Sequence, residues 1–242
     1  MRGNYNELYA RFFEATREFN VSMGQPDNVP INLELLYLRR NLISEEWGEL
    51  SDELNKAIDQ LLKNEGNIDR STAEQVIKES CDLIYVVAGT AATFGLRYRP
   101  ENAFAWYMGD DHPFYTKKSV EQVITIRQVF DNIENRYLEL EMWVNCIKVQ
   151  LTDDDCNEGL SRSEYEGITR CLEDITKLVI NFADYFGFPL LDAFNAVHAS
   201  NMSKLGDDGK PVYREDGKVM KGPNYHKPDM SVFVEEDGET ND

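Results

Sequence analysis

Basic charge, paired cysteines and long apolar runs are what this sequence is short of. Its 25 Lys and Arg face 44 Asp and Glu, a formal net charge of −19. A surface this acidic repels phosphate backbones and anionic lipid, which excludes nucleic-acid or membrane-surface binding as a main role. Phosphate chemistry on such a chain needs bound divalent cations or a local cluster of Lys and Arg. No apolar run approaches the ~20 residues of a membrane-spanning helix, and the opening MRGNYNELYARFF lacks the apolar stretch of a secretory signal. Cys81, Cys146, Cys156 and Cys171 show no CxxC spacing and fall mostly inside apolar helical patterns. They read as reduced core thiols of a cytoplasmic protein. A Walker loop, a GxGxxG turn, a serine elbow and HExxH are all missing, and none of His112, His198 and His226 has the acid three residues earlier that a di-iron bundle uses. What is left is a 242-residue chain, 42% hydrophobic and 29% charged, ordinary globular usage.

The periodicity is helical almost throughout. Apolar residues recur at steps of three and four over 4–20, 31–63, 71–95, 118–151, 163–187 and 189–204, with breaks at the Pro- and Gly-containing loops between them. Ser71, with Glu74 three residues on, has the form of a capping box for the third segment. The second half of that segment, CDLIYVVAGTAATFG, is apolar nearly all round and marks a central helix. No strand signal precedes residue 210; after it, VYREDGKVM is expected to form a small hairpin about Asp216-Gly217. The fold class expected is therefore an all-α helical bundle with a small C-terminal hairpin, one domain over 1–228, and an acidic tail over 229–242 in which VEEDGETND reads as disordered. Two stretches align within the chain: Glu45-Glu46-Trp47 with Glu141-Met142-Trp143, and Asp82 to Gly95 with Asp174 to Gly187. If this reflects duplication, the chain holds two helical hairpins packed as a pseudo-symmetric four-helix bundle, although apolar helices also align with one another without it.

Carboxylates stand where greasy side chains are expected. At 100° per residue, Glu46 lies about 40° and Glu49 about 20° from the Leu42 direction, both within the apolar stripe, while Glu45 lies about 60° to one side. Glu79 and Asp82, three apart, lead into the most apolar stretch of the next helix. Unpaired carboxylates in a core are costly, and the five Lys and Arg between 40 and 80 look too scattered to neutralise them. Hard divalent cations, Mg²⁺ or Mn²⁺, take such oxygen ligands and keep room for substrate phosphates. EExxE alone also recurs on solvated helix faces; the ExxD partner on the following helix is what makes this set informative. A second acidic run, DDDCNEGLSRSE (153–164), nearly matches a calcium loop, but Glu158 stands where the turn wants Gly, so it reads as an interhelical loop. The segment 204–227 carries Lys204, Lys210, Arg214, Lys218, Lys221 and Lys227, the densest basic stretch of the chain, suited to cover a metal–triphosphate site or simply to be a solvated hairpin. Tyr213 and Tyr225 are there to stack on a base or to stand exposed, and His198 reads as a packing or capping residue.

EEWGE (45–49) followed by ESCD (79–82) resembles the EExxE…ExxD signature of the all-α nucleoside triphosphate pyrophosphohydrolases, the MazG-like superfamily, which includes phosphoribosyl-ATP pyrophosphohydrolase and the dimeric dUTPases. FFEATREFNVSMGQP and LYLRRNLISEEWGEL resemble the family's lead-in, and AFNAVHASNMSKLGDDGKPVYREDGKVMKGPNY its C-terminal segment; the match covers about 1–96 and 188–228. Two features depart from the pattern: 29 residues separate Glu49 from Glu79, at or beyond the usual upper end, and 97–187 is extra relative to compact members, as in the longer dimeric dUTPases. The resemblance implies that Glu46, Glu49, Glu79 and Asp82 ligate Mg²⁺ or Mn²⁺ and that Glu45 orients or deprotonates the attacking water. It also implies that Asn201 and Lys204 bind substrate phosphate or sugar; the charge of the basic segment agrees, and its Lys218 and Lys221 are expected to close over the substrate. The second half, with Met142, Asn145 and Cys171 in the corresponding places, would bind no metal. The activity implied is hydrolysis of a nucleoside triphosphate to monophosphate and pyrophosphate by a homodimer. A phosphoribosyl-ATP, dUTP or dCTP substrate, or an inactive helical interaction protein, are the alternatives.

Overall fold

The computed structural model describes residues 5–98, 118–152, 160–206, 208–215 and 219–234. Six helices carry them: α1 (Tyr5–Ser22), α2 (Leu33–Lys63), α3 (Arg70–Thr93), α4 (Val120–Thr152), α5 (Arg162–Phe186) and α6 (Leu190–Met202), followed by one 3-10 turn at Ser231–Phe233. No described residue belongs to a strand longer than an isolated bridge, so the chain is all-α, as its periodicity requires.

Local chemistry sets the helix ends. Asn32 accepts the Leu35 N–H and starts α2. The start of α3 differs from expectation: Asp69, not Ser71, is the cap, its carboxylate accepting the Thr72 N–H at 2.7 Å. A carboxylate at a helix N-terminus answers both the orphan N–H groups and the dipole, which the Ser71 hydroxyl cannot match; Ser71 donates to Asp69 instead. Ser161 and Glu164 form a capping box on α5. Gly95 and Gly187, which follow α3 and α5, both sit at positive φ (61° and 76°), where a Cβ would be strained.

The helices α2 and α3 form one long hairpin, and α4 and α5 form another. Helix α2 lies against α4 and α3 against α5, closing a four-helix bundle, while α1 and α6 pack chiefly on α3 and on each other. Helix α3 is therefore surrounded, and 17 of its 24 residues are buried. Trp47 of α2 packs against Phe130 and Tyr137 of α4, and Phe12 of α1 against Phe194 of α6. No described helix is long and apolar enough to cross a membrane.

Three expectations need correction. The C-terminal hairpin reduces to a single bridge between Tyr213 and Val219, with Met220 N–H bonding to the Val212 carbonyl; its turn residues 216 and 217 lie outside the described residues. The tail does not begin at 229, because Met230 and Val234 are buried against the core. Cys146 is exposed, unlike Cys81 and Cys171, because it falls on the outer face of α4. Residues 99–117 and 153–159, with His112, Cys156 and most of the calcium-like loop, lie outside the described residues.

Candidate metal centre

The apolar stripe of α2 is split along its length. Leu36, Ile43, Trp47 and Leu50 face the bundle, while Leu38 and Leu42 are half-buried and border a cleft of about 310 Å³. Glu45, Glu46 and Glu49 continue that second row. The carboxylates of α2 thus stand on the wall of a solvent-reached cleft rather than in dry core, which corrects the placement that helix angles alone suggest.

Facing them on α3, Glu79 is buried and Asp82 half-buried. Glu46, Glu79 and Asp82 each present an oxygen, and the three oxygens lie within 4.8 Å of one another. Glu45 and Glu49 line the same cleft outside that triad. Burial raises the Glu79 carboxyl to about 7, with Asp82 and Glu49 adding repulsion against the partial relief from Lys78. That raised value is the signature of acids gathered in a partly dry place.

Lys78 is the residue that sequence reasoning misjudged. Its Nζ lies 2.7 and 2.8 Å from the two Glu79 oxygens and 2.8 Å from an Asp82 oxygen. Burial works against the ammonium, yet Asp82 and Glu79 outweigh it and raise its pKa above the ordinary lysine value. A count of cations between 40 and 80 hid this, although the i,i+4 relation of Lys78 to Asp82 announces it. The cluster therefore has a resident cation, held by the oxygens that a hard metal ion would take.

The donor set suits Mg²⁺ or Mn²⁺. It is all carboxylate oxygen, with no thiol or imidazole. Ligand oxygens around one such ion stand about 3–4 Å apart, so three oxygens within 4.8 Å of one another are close enough to share one once the ammonium moves aside.

The opposite wall comes from the C-terminal third. Asn201 and Lys204, at the end of α6, and Lys221 all line the cleft. Lys204 lies over the Phe19 ring and Lys221 over the Tyr225 ring, at 5.8 and 4.8 Å from the ring centres. The segment is tied to α6 by Ser200 donating to the His226 carbonyl and by the His226 N–H donating to Ser203. Lys218 lies outside the described residues. Tyr225 lines the cleft, whereas Tyr213 turns away and donates to the Met23 carbonyl. His198 is buried between Tyr85, 2.9 Å from Nδ1, and Glu18, 3.3 Å from Nε2. Burial holds its pKa below the ordinary histidine value, so it is a packed, partnered side chain outside the cleft lining. Sequence reasoning also passed over Arg39. It takes the place between Leu36 and Ile43 that helical spacing reserves for a core residue, and it lines the far end of the cleft.

Fold and cleft define an all-α bundle with an acidic cluster on one wall and basic side chains on the other. No family model matches the chain, and no solved structure matches it. It is similar to an uncharacterized protein of Acanthamoeba polyphaga mimivirus, 26% identical over 214 residues that cover 83% of this chain and 73% of that one.

Proposed function

We propose that the chain is a divalent-metal-dependent nucleoside triphosphate pyrophosphohydrolase, releasing pyrophosphate and the monophosphate. One observation carries the reading. The oxygens of Glu46, Glu79 and Asp82 converge within 4.8 Å of one another, Glu79 buried and the other two lining a cleft whose opposite wall supplies Asn201, Lys204 and Lys221. That is the charge distribution a metal–triphosphate needs: anions for the metal and cations for the phosphates. The EExxE…ExxD resemblance supports the same reading.

Glu46, Glu79 and Asp82 would hold Mg²⁺ or Mn²⁺, with Glu49 beside them; such an ion polarises phosphoryl oxygens and neutralises charge that develops on them. Lys204 and Lys221 draw the triphosphate against the acidic wall, and Asn201 donates to phosphate or sugar oxygen. Glu45, on the same helix row, accepts a proton from the attacking water. The water oxygen bonds to the α-phosphorus, the bond from that phosphorus to the oxygen bridging it to the β-phosphorus breaks, and pyrophosphate leaves with that electron pair. The homodimer belongs to the same proposal. Val120, Ile124, Leu138, Met142 and Val149 of α4 are all exposed and fall within about 40° of one another around the helix, a stripe suited to a second copy; a monomer in light scattering removes that part alone.

The test is product identity. With Mg²⁺ and a panel of canonical and modified nucleoside triphosphates, pyrophosphate is expected from at least one, and Glu45→Gln is expected to lower kcat by about 10²–10⁴-fold. Orthophosphate as the sole product, or no turnover across the panel, overturns the reading. The rival reading, an inactive interaction bundle, makes Lys78 a permanent structural cation and expects no Mn²⁺ binding at the triad.

A further inference from the structure

Arg39 is a buried cation without a counter-charge. The residue is 8% exposed, and no carboxylate among the described residues pairs with it. Its Nε donates to Thr90 Oγ1 at 3.1 Å and its Nη2 to the Val86 carbonyl at 3.0 Å. A guanidinium has five N–H donors, so three remain, at a side chain that lines the cleft. Space is kept for it: a Cβ on Gly89 would stand 2.5 Å from Nη2. Burial lowers its pKa to about 10, which leaves it charged at neutral pH. Its Nη1 is not among the buried side-chain nitrogens that lack a partner, so it opens on the cleft, where water or a ligand supplies its acceptors.

Its position says which part of a ligand it meets. Arg39 is seven residues from Glu46 along α2, and its partners Val86 and Thr90 lie four and eight residues past Asp82 along α3. At 1.5 Å per residue the guanidinium is about 6–12 Å from the acidic cluster, a span that a ribose and a base cover. Lys204 and Lys221 already serve the phosphate end. Beside Arg39 the cleft is lined by Leu38, Val86 and Gly89, apolar surface suited to a ring rather than to a second phosphate. The Phe19 ring carries Lys204 and belongs to the phosphate end.

We propose that Arg39 reads the nucleobase of the substrate, accepting bases that present a carbonyl edge, guanine best, and rejecting adenine. This rests on the reading of the cleft as a nucleotide site. The guanidinium offers donors only. Guanine meets a donor fork with O6 and N7 together, whereas in adenine the N6 amino group flanks both N7 and N1 and turns a donor toward the donors.

Calorimetric binding of GMP and AMP to the full chain without metal tests this, in the unmodified protein, Arg39→Lys and Arg39→Met. GMP is expected to bind at least about tenfold more tightly than AMP. Arg39→Met brings the two within about twofold, and Arg39→Lys, which keeps the charge but loses the fork, retains part of the difference. Arg39→Lys decides the matter if Arg39→Met does not fold by circular dichroism. Equal or tighter AMP binding, no GMP binding, or a variant that weakens both nucleotides equally overturns the proposal; the last outcome makes Arg39 a phosphate ligand or a structural residue. Turnover separates the two readings. Pyrophosphate release without base preference sinks the base reading alone, and a GMP preference without turnover of any triphosphate sinks the hydrolase reading alone.

Discussion

The two hairpins of the bundle share a scaffold and differ in what it costs to keep it. In α2–α3, the oxygens of Glu46, Glu79 and Asp82 gather within 4.8 Å of one another, and burial raises Glu79 to about 7. In α4–α5 the aligned positions hold Met142 and Asn145, both exposed, then Cys171, buried, and Asp174, which lies 3.4 Å from Arg136. Burial pushes the Cys171 thiol up to about 12, so it stays neutral and its burial is cheap. The second hairpin has its own breaches, the unpartnered buried Trp143 Nε1 and an Asp184 carboxyl raised by burial, but they stand apart. Those of the first converge on one place, and convergence of this kind marks functional sites. The covering layer differs as well. Helices α1 and α6 and the C-terminal segment enclose the first hairpin's acidic face, and Met142 stands open to solvent on the second.

The sharpest break of this comparison is expected from paired substitutions. Glu79→Gln or Asp82→Asn should lower pyrophosphate release by about 10³-fold or more, since metal charge stabilisation is worth several kcal/mol. Cys171→Ser and Asp174→Asn should change it less than about threefold. A comparable loss from both hairpins would mean that α4–α5 contributes to the chemistry, and the distinction drawn between them would fail.

A smaller effect is expected at Lys78, whose aligned residue in α4–α5, Arg170, has the neutral Cys171 beside it where Lys78 has Glu79. Lys78→Met removes the competitor for the triad's oxygens. Mn²⁺ affinity should rise about tenfold, the value of a charge-assisted contact that the ion no longer displaces. The metal-free protein should melt at a lower temperature, because Glu79 and Asp82 then lose the charge that Lys78 supplies. Weaker Mn²⁺ binding in this variant would show that Lys78 shapes the site rather than occupying it.

The fold was largely legible because helical period and Gly or Pro breaks are local signals. All six helices lie within a few residues of where spacing puts them, and only the cap of α3 moved, from Ser71 to Asp69, since both residues have the right chemistry. The site was legible in part. Of the acids in EExxE and ExxD, Glu45, Glu46, Glu49 and Asp82 line one cleft and Glu79 is buried, but which three converge is decided by how α2 rotates against α3, and no single-helix angle contains that. Hence Glu49 falls outside the triad while Glu46, calculated to lie farther from Leu42, falls inside it. Lys78 was missed because counting cations passes over its i,i+4 relation to Asp82, and Arg39 because a cation at a core position looks like an error until the cleft beside it is seen.

The smallest expected effect concerns the two caps, Asp69 on α3 and Ser161 on α5. Asp69→Ala and Ser161→Ala should each cost about 1 kcal/mol in urea unfolding at neutral pH. Acid should then separate them. Hydrogen bonds from Thr72, chiefly its backbone N–H, hold the Asp69 carboxyl down at about 2, against an ordinary 3.8. A depressed acid stabilises fully above its unfolded value and loses that contribution as the pH falls through its folded one. The difference between the chain and Asp69→Ala should therefore shrink between about pH 4 and pH 2, while the Ser161 hydroxyl carries no charge to lose. If both differences persist at low pH, Asp69 acts through its shape alone, and the cap of the acidic hairpin has no electrostatic advantage over that of its neighbour.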